Sequence, residues 1–182
     1  MILLPIVVIV AASPKAVAPY IVKLPNVHIK HRNGIFDSSK PNTRVTLQAG
    51  DLITTEREKF KIYSTIVFQD GTTIQNFPGS RVTYLSDGSK DQELVEVVSG
   101  TVIYSSPDNK EAINRYRRRV RTPSRTLGTQ GTVFQLEVIP GAPCPRNKVT
   151  QIKGQLEITN LKDPADIAYR KTGEAYDDNG KC

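Results

Sequence analysis

Five arginines crowd into one short stretch, Arg115, Arg117, Arg118, Arg119 and Arg121, with Tyr116 and Val120 between them and Arg125 close behind. Guanidinium groups hold phosphate and carboxylate in bidentate pairs, and an interleaved tyrosine can stack on a base or a sugar ring. On a strand, alternation puts Arg115, Arg117, Arg119 and Arg121 on one face and Tyr116, Arg118 and Val120 on the other. The charges can then shield a sheet edge from pairing with another chain, or they can meet an anionic partner; nucleic acid ranks last of the three uses. Each unpaired buried charge is costly, and the chain has 18 Asp and Glu in total, so the whole run is expected to reach water.

His28 and His31, the only histidines, stand in an H-x-x-H spacing with Asp37 nearby, which metal binding or general-base chemistry could use. No second histidine motif accompanies them and the segment is flanked by Pro and Gly, so exposed histidines without a metal are the expectation. Ser38, Ser39, Ser105, Ser106 and Ser124 lack a Gly-x-Ser-x-Gly elbow. Gly128 to Thr132 lacks the lysine and the spacing of a phosphate-binding loop. The sequence therefore predicts no enzyme, no metal centre and no cofactor.

The elements that must position these residues are strands. Val, Ile and Thr supply 49 residues against 21 for Ala and Leu, and no window sustains a helical apolar period over three turns. Thr132–Ile139 places Phe134, Leu136 and Val138 inward. Val149–Thr159 places Ile152, Leu156 and Ile158 inward, with Gln151, Lys153, Gln155 and Glu157 facing out. Residues Ile62 to Phe77 form a hairpin on a two-residue Asp70-Gly71 turn that sets Val67 opposite Ile74. Asp87-Gly88 belongs to a longer loop over roughly 86–92. Helix is confined to a turn or two at Pro164–Tyr169 and at Asn109–Arg117. Gly50, Gly100, Gly131 and Gly154 each precede an apolar residue by two positions, with Gly71 as a fifth unit, a repeat that suits the coils of a β-solenoid or the corners of a β-sandwich. The expected fold is a compact all-β domain of short strands joined by Gly-containing turns, with minimal helix.

Residues 2–12 are apolar and uncharged but too few to span a bilayer core, and small residues follow at Ala11-Ala12-Ser13 and Ala16-Val17-Ala18. Residues 1–18 are read as a signal peptide, the alternative being a buried N-terminal strand. That predicts a periplasmic or secreted protein with no membrane span after processing. An irregular lead-in over 19–43, a β domain over 44–160 and a C-terminal tail over 161–182 complete the organisation. Cys144 and Cys182 are the only cysteines. Either they remain two thiols, or they pair and close a loop of about 39 residues, worth ~4 kcal/mol in an oxidising compartment. The net charge of +7 favours anionic surroundings such as headgroups, acidic glycans or nucleic acid.

Four ordered blocks give the chain a resemblance to the FecR domain of bacterial extracytoplasmic proteins: Leu47–Thr55 around Gly50; Val67–Ile74 around Asp70-Gly71 with Pro78-Gly79-Ser80; Leu94–Tyr104 around Gly100; and Val120-Arg121-Thr122-Pro123 leading to Gly131-Thr132-Val133-Phe134. A weaker fifth block surrounds Gly154. Gln130 stands where that family usually carries arginine. The best-known members are membrane-anchored regulators of sigma factors. The resemblance implies here a stand-alone exported domain that binds an envelope protein or glycan, in signalling or scaffolding.

Overall fold

The computed structural model describes residues 18–57, 64–86, 93–107 and 118–181. These are all-β, with no helix. The strands are β1 (Tyr20–Val22), β2 (Val27–Lys30), β3 (Arg44–Thr46), β4 (Leu52–Thr55), β5 (Ser64–Val67), β6 (Thr73–Asn76), β7 (Arg81–Tyr84), β8 (Glu93–Ser105), β9 (Arg118–Arg121), β10 (Arg125–Ile139), β11 (Arg146–Asn160), β12 (Ile167–Lys171) and β13 (Ala175–Asp177).

Three long strands build the domain by serving two half-sheets each. The first halves of β8 and β10 and the second half of β11 lie in one layer, in the order β2-β4-β7-β8-β9-β10-β11-β12. Their other halves lie in a second layer, in the order β3-β1-β5-β6-β8-β10-β11-β13. The layers face each other across the core: Phe68 of one meets Tyr84 of the other at a 6.3 Å ring separation, and the Thr129 hydroxyl donates to the Tyr104 oxygen at 3.1 Å. Among the described residues every ladder is antiparallel except β8–β9, which excludes the stacked parallel coils of a solenoid, and the pairings β8–β9, β9–β10 and β10–β8 close the sheet on itself as a barrel from which the other strands extend.

The glycine repeat marks the places where the long strands cross between layers. At Gly100 the buried positions of β8 switch from Val95 and Val97 to Val102 and Tyr104. At Gly131 those of β10 switch from Leu127 and Thr129 to Thr132 and Phe134, and near Gly154 those of β11 switch from Val149 and Gln151 to Leu156 and Ile158. Gly100 is the tightest crossing. Its φ is +92°, and a Cβ there would lie 2.5 Å from the Ser80 Cα, so only glycine fits.

Phe134, Leu136 and Val138 are buried as expected, and Phe134 stacks on Tyr104 at 5.1 Å. The assignment of Ile152 and Gln151 is reversed. Ile152 is 47% exposed and Gln151 is buried, because uninterrupted alternation from Val149 to Ile158 ignores the face switch at the bend. Gln151 donates its side-chain N–H to the Lys153 carbonyl, while its Oε1 is buried with no partner among the described residues.

The hairpin register also differs by one residue. Val67 faces Thr73 and Ile66 faces Ile74, around a three-residue Gln69-Asp70-Gly71 loop closed by the Phe68 N–H on the Thr72 carbonyl. The Asp70 carboxylate accepts both the backbone N–H and the hydroxyl of Thr72, and Gly71 takes φ +84°. This register keeps Ile66, Phe68 and Ile74 in the core; a one-residue slip would turn one side of the ladder outward.

The 19–43 segment is not irregular throughout, since β1 and β2 bury Ile21, Val27 and Ile29. The 161–182 tail likewise carries β12 and β13. Strand β12 occupies part of the expected Pro164–Tyr169 helical turn. The Leu85 N–H donates to the Leu94 carbonyl; the interior of the loop expected over roughly 86–92, residues 1–17 of the expected signal peptide and the expected helical turn at Asn109–Arg117 lie outside the described residues.

Candidate functional site

Strand β9 sits between β8 and β10, so the described part of the arginine run, Arg118–Arg121, does not protect a sheet edge. Its alternation holds over the described part, Arg118 and Val120 pointing inward and Arg119 and Arg121 outward. Arg115, Tyr116 and Arg117 lie outside the described residues. Arg118 contradicts the expectation that every guanidinium reaches water. Its side chain is only 10% exposed and pairs with Asp70 at 3.0 Å, tying β9 to the hairpin loop of the opposite layer. The ion pair offsets part of the cost of burial, while the other terminal nitrogen, Arg118 Nη1, is buried with no hydrogen-bond partner among the described residues. Arg121 pairs with Glu93 at 3.4 Å, and Thr126 donates to the same carboxylate.

Arg119 is placed differently. Arg119 faces Gly128, Gly128 faces Glu157, and Glu157 faces Tyr169, giving one row across four strands on the outer surface. Directly opposed residues share a face. Gly128 contributes no side chain, which opens a cleft of about 230 Å³ walled by Arg119, Gln155, Glu157 and Tyr169 and floored at Gly128, Thr129 and Leu156. Among the described residues, Arg119 and Glu157 form no ion pair, and the side chains of Gln155 and Tyr169 make no hydrogen bond. Tyr169 is 64% exposed, with Ile167 beside it on the same face. The cleft thus offers a cation, an anion, an amide and an aromatic ring with their bonding capacity unspent.

The signal for Glu157 and Tyr169 in the sequence was weak. Glu157 reads as one more outward polar residue of β11, and Tyr169 sits in a segment resembling a helical turn. Gly128 was visible only as the first residue of the Gly128–Thr132 stretch, which lacks the features of a phosphate-binding loop.

A second polar cluster is structural. Arg125 is buried on β10, donating to Asp178 at 3.4 Å, Asp166 at 3.1 Å and the Lys181 carbonyl at 3.2 Å. Asp178 also accepts the Asn147 and Gly180 backbone N–H groups. Hydrogen bonds from Asn160 and from Arg125 hold the Asp166 carboxyl below its ordinary range. This cluster fastens the C-terminal segment beside Cys144, which is disulfide-bonded. Cys182, the chain's one other cysteine, lies outside the described residues.

The histidines are engaged by carboxylates. His28 meets Glu56 at 2.7 Å, while His31 meets Asp51 at 3.1 Å and Asp37 at 3.7 Å. Burial would raise Asp37, but hydrogen bonds from Lys23 and Ser39 outweigh it and bring the carboxyl below its ordinary value. Among the described residues no group of three or more His, Cys, Asp and Glu is placed to hold a metal.

No protein-family model matches the chain, and no curated protein matches it in sequence. Among solved structures it is similar to two crystal structures of a "putative anti-sigma factor" from Parabacteroides distasonis ATCC 8503. Each has a TM-score of 0.51 and 15% identity, covering 69% of this chain and 58% of the neighbour. The likeness spans less than two thirds of the neighbour's length and shows a shared fold.

Proposed function

We propose that this chain is an exported, non-enzymatic binding domain of the FecR-like kind, whose recognition surface is the outer face of β9 to β12. The observation that carries the reading is the row Arg119–Gly128–Glu157–Tyr169, where a gap in the side-chain layer is ringed by uncommitted polar groups and an exposed aromatic ring. Buried or paired charges serve stability, whereas uncommitted ones around a concavity are available to a ligand. A role for the arginine run as a continuous polyanion surface has less support, because Arg118 is buried and Arg121 is paired. The disulfide at Cys144 supports an oxidising compartment, periplasmic or secreted. A neighbour described as an anti-sigma factor supports use in envelope signalling.

The test is co-sedimentation of the purified protein with washed envelope fractions. Retention of the wild type and loss of retention for Tyr169→Ala and Arg119→Gln is the expected result. Equal retention of all three would refute the assignment of this face.

A further inference from the structure

Resting on that reading of the site, we propose that the cleft takes one neutral pyranose ring of an envelope glycan. The size fits a single ring: about 230 Å³ is below the range of drug-sized pockets, and a monosaccharide unit is correspondingly small. The chemistry fits a polyol. A sugar ring has an apolar C–H face, which packs on an electron-rich aromatic face, and a rim of hydroxyls that both donate and accept. Tyr169 supplies the platform at one wall. Glu157 and Arg119, on either side of Gly128, supply an acceptor-only and a donor-only group to the same rim.

The opposite charges of the two walls argue for a neutral ring, because a carboxylate drawn to Arg119 would also meet Glu157. Gly128 gives the ring its depth. A methyl-sized group there would meet the Glu157 side chain at 3.8 Å, an ordinary contact, and the φ of Gly128 is not positive. The backbone therefore tolerates a side chain that the cleft does not.

The experiment is ligand-observed NMR titration of the disulfide-intact protein with methyl glucoside, methyl galactoside and N-acetylglucosamine, with glucuronate as the anionic comparator. At least one neutral sugar should bind with a Kd on the order of 1 mM, the weak affinity expected of one ring. Saturation should pass to one C–H face. Gly128→Val, which fills the floor with a strand-favouring side chain, and Tyr169→Ala, at an exposed position, should each weaken binding at least tenfold with unchanged melting temperature. Absence of binding by every neutral sugar overturns the proposal, as does a tenfold preference for glucuronate or unaltered binding by Gly128→Val. If envelope retention disappears in the variants while no sugar binds, the saccharide assignment falls and the site stands. If sugars bind but retention is indifferent to the variants, the functional reading falls and the saccharide site stands.

Discussion

Replacing Arg125 by Met should unfasten the C-terminal segment. The substitution keeps an unbranched apolar stem and removes a guanidinium that is 5% exposed, leaving Asp178, itself 1% exposed, without its cation. Breaking a buried ion pair from one side costs ~3–5 kcal/mol, because the remaining charge stays in a poorly solvating interior. Asp178 keeps the backbone N–H groups of Asn147 and Gly180 and the Asn147 side-chain amide as donors, which places the loss at the lower end, about 3 kcal/mol. For a domain of this size that lowers the melting temperature by roughly 6–12 °C. The assay is urea unfolding followed by far-UV circular dichroism, with the disulfide intact. Asp166→Asn, at a half-exposed carboxylate, should cost less than ~1 kcal/mol. The double variant Arg125→Met/Asp178→Asn should recover part of the loss, since it leaves no buried charge unpaired. A loss below ~1 kcal/mol for Arg125→Met, or a double variant worse than the sum of its parts, would refute the claim that charge pairing holds this segment.

Phe134→Ala removes a fully buried ring stacked on Tyr104 and should lower unfolding free energy by ~3–5 kcal/mol in the same urea assay. Gly100→Ala combines a positive φ with a backbone clash against Ser80 and should cost ~3 kcal/mol or more, whereas Gly128→Ala should change stability by less than ~1 kcal/mol. Asp177 has its pKa lowered to about 2, chiefly by the hydrogen bond from Arg146. A carboxyl lowered in the folded state stabilises fully above its unfolded value and loses that contribution as pH falls through the folded value. Acid unfolding should therefore show a component between about pH 4 and pH 2 that Arg146→Ala removes. Peptide mapping without reductant should yield Cys144 and Cys182 in one linked fragment, and reduction should lower the urea midpoint.

Much of the architecture was legible because strand formation is local. Alternation along Phe134, Leu136 and Val138 names a buried face without reference to any other strand. The same holds for Arg119 and Arg121 against Arg118 and Val120, and the β-branched composition excludes a helical fold. The glycines at 100, 131 and 154 were visible as a repeat, but not what they do. Whether a strand continues flat or crosses to a second layer depends on what it packs against, and that decision reversed Ile152 and Gln151.

Tertiary structure alone decided which charges are spent. Arg118 and Asp70 are 48 positions apart in sequence and 3.0 Å apart in space, and Arg125 meets Asp178 across 53 positions. Pairing between such distant groups is set by strand register and layer order, which no local window encodes. The cleft has the same origin. Arg119, Gly128, Glu157 and Tyr169 come from four strands and form a row only because three antiparallel registers bring them opposite one another. A one-residue slip in any of those ladders would turn one wall of the cleft into the core.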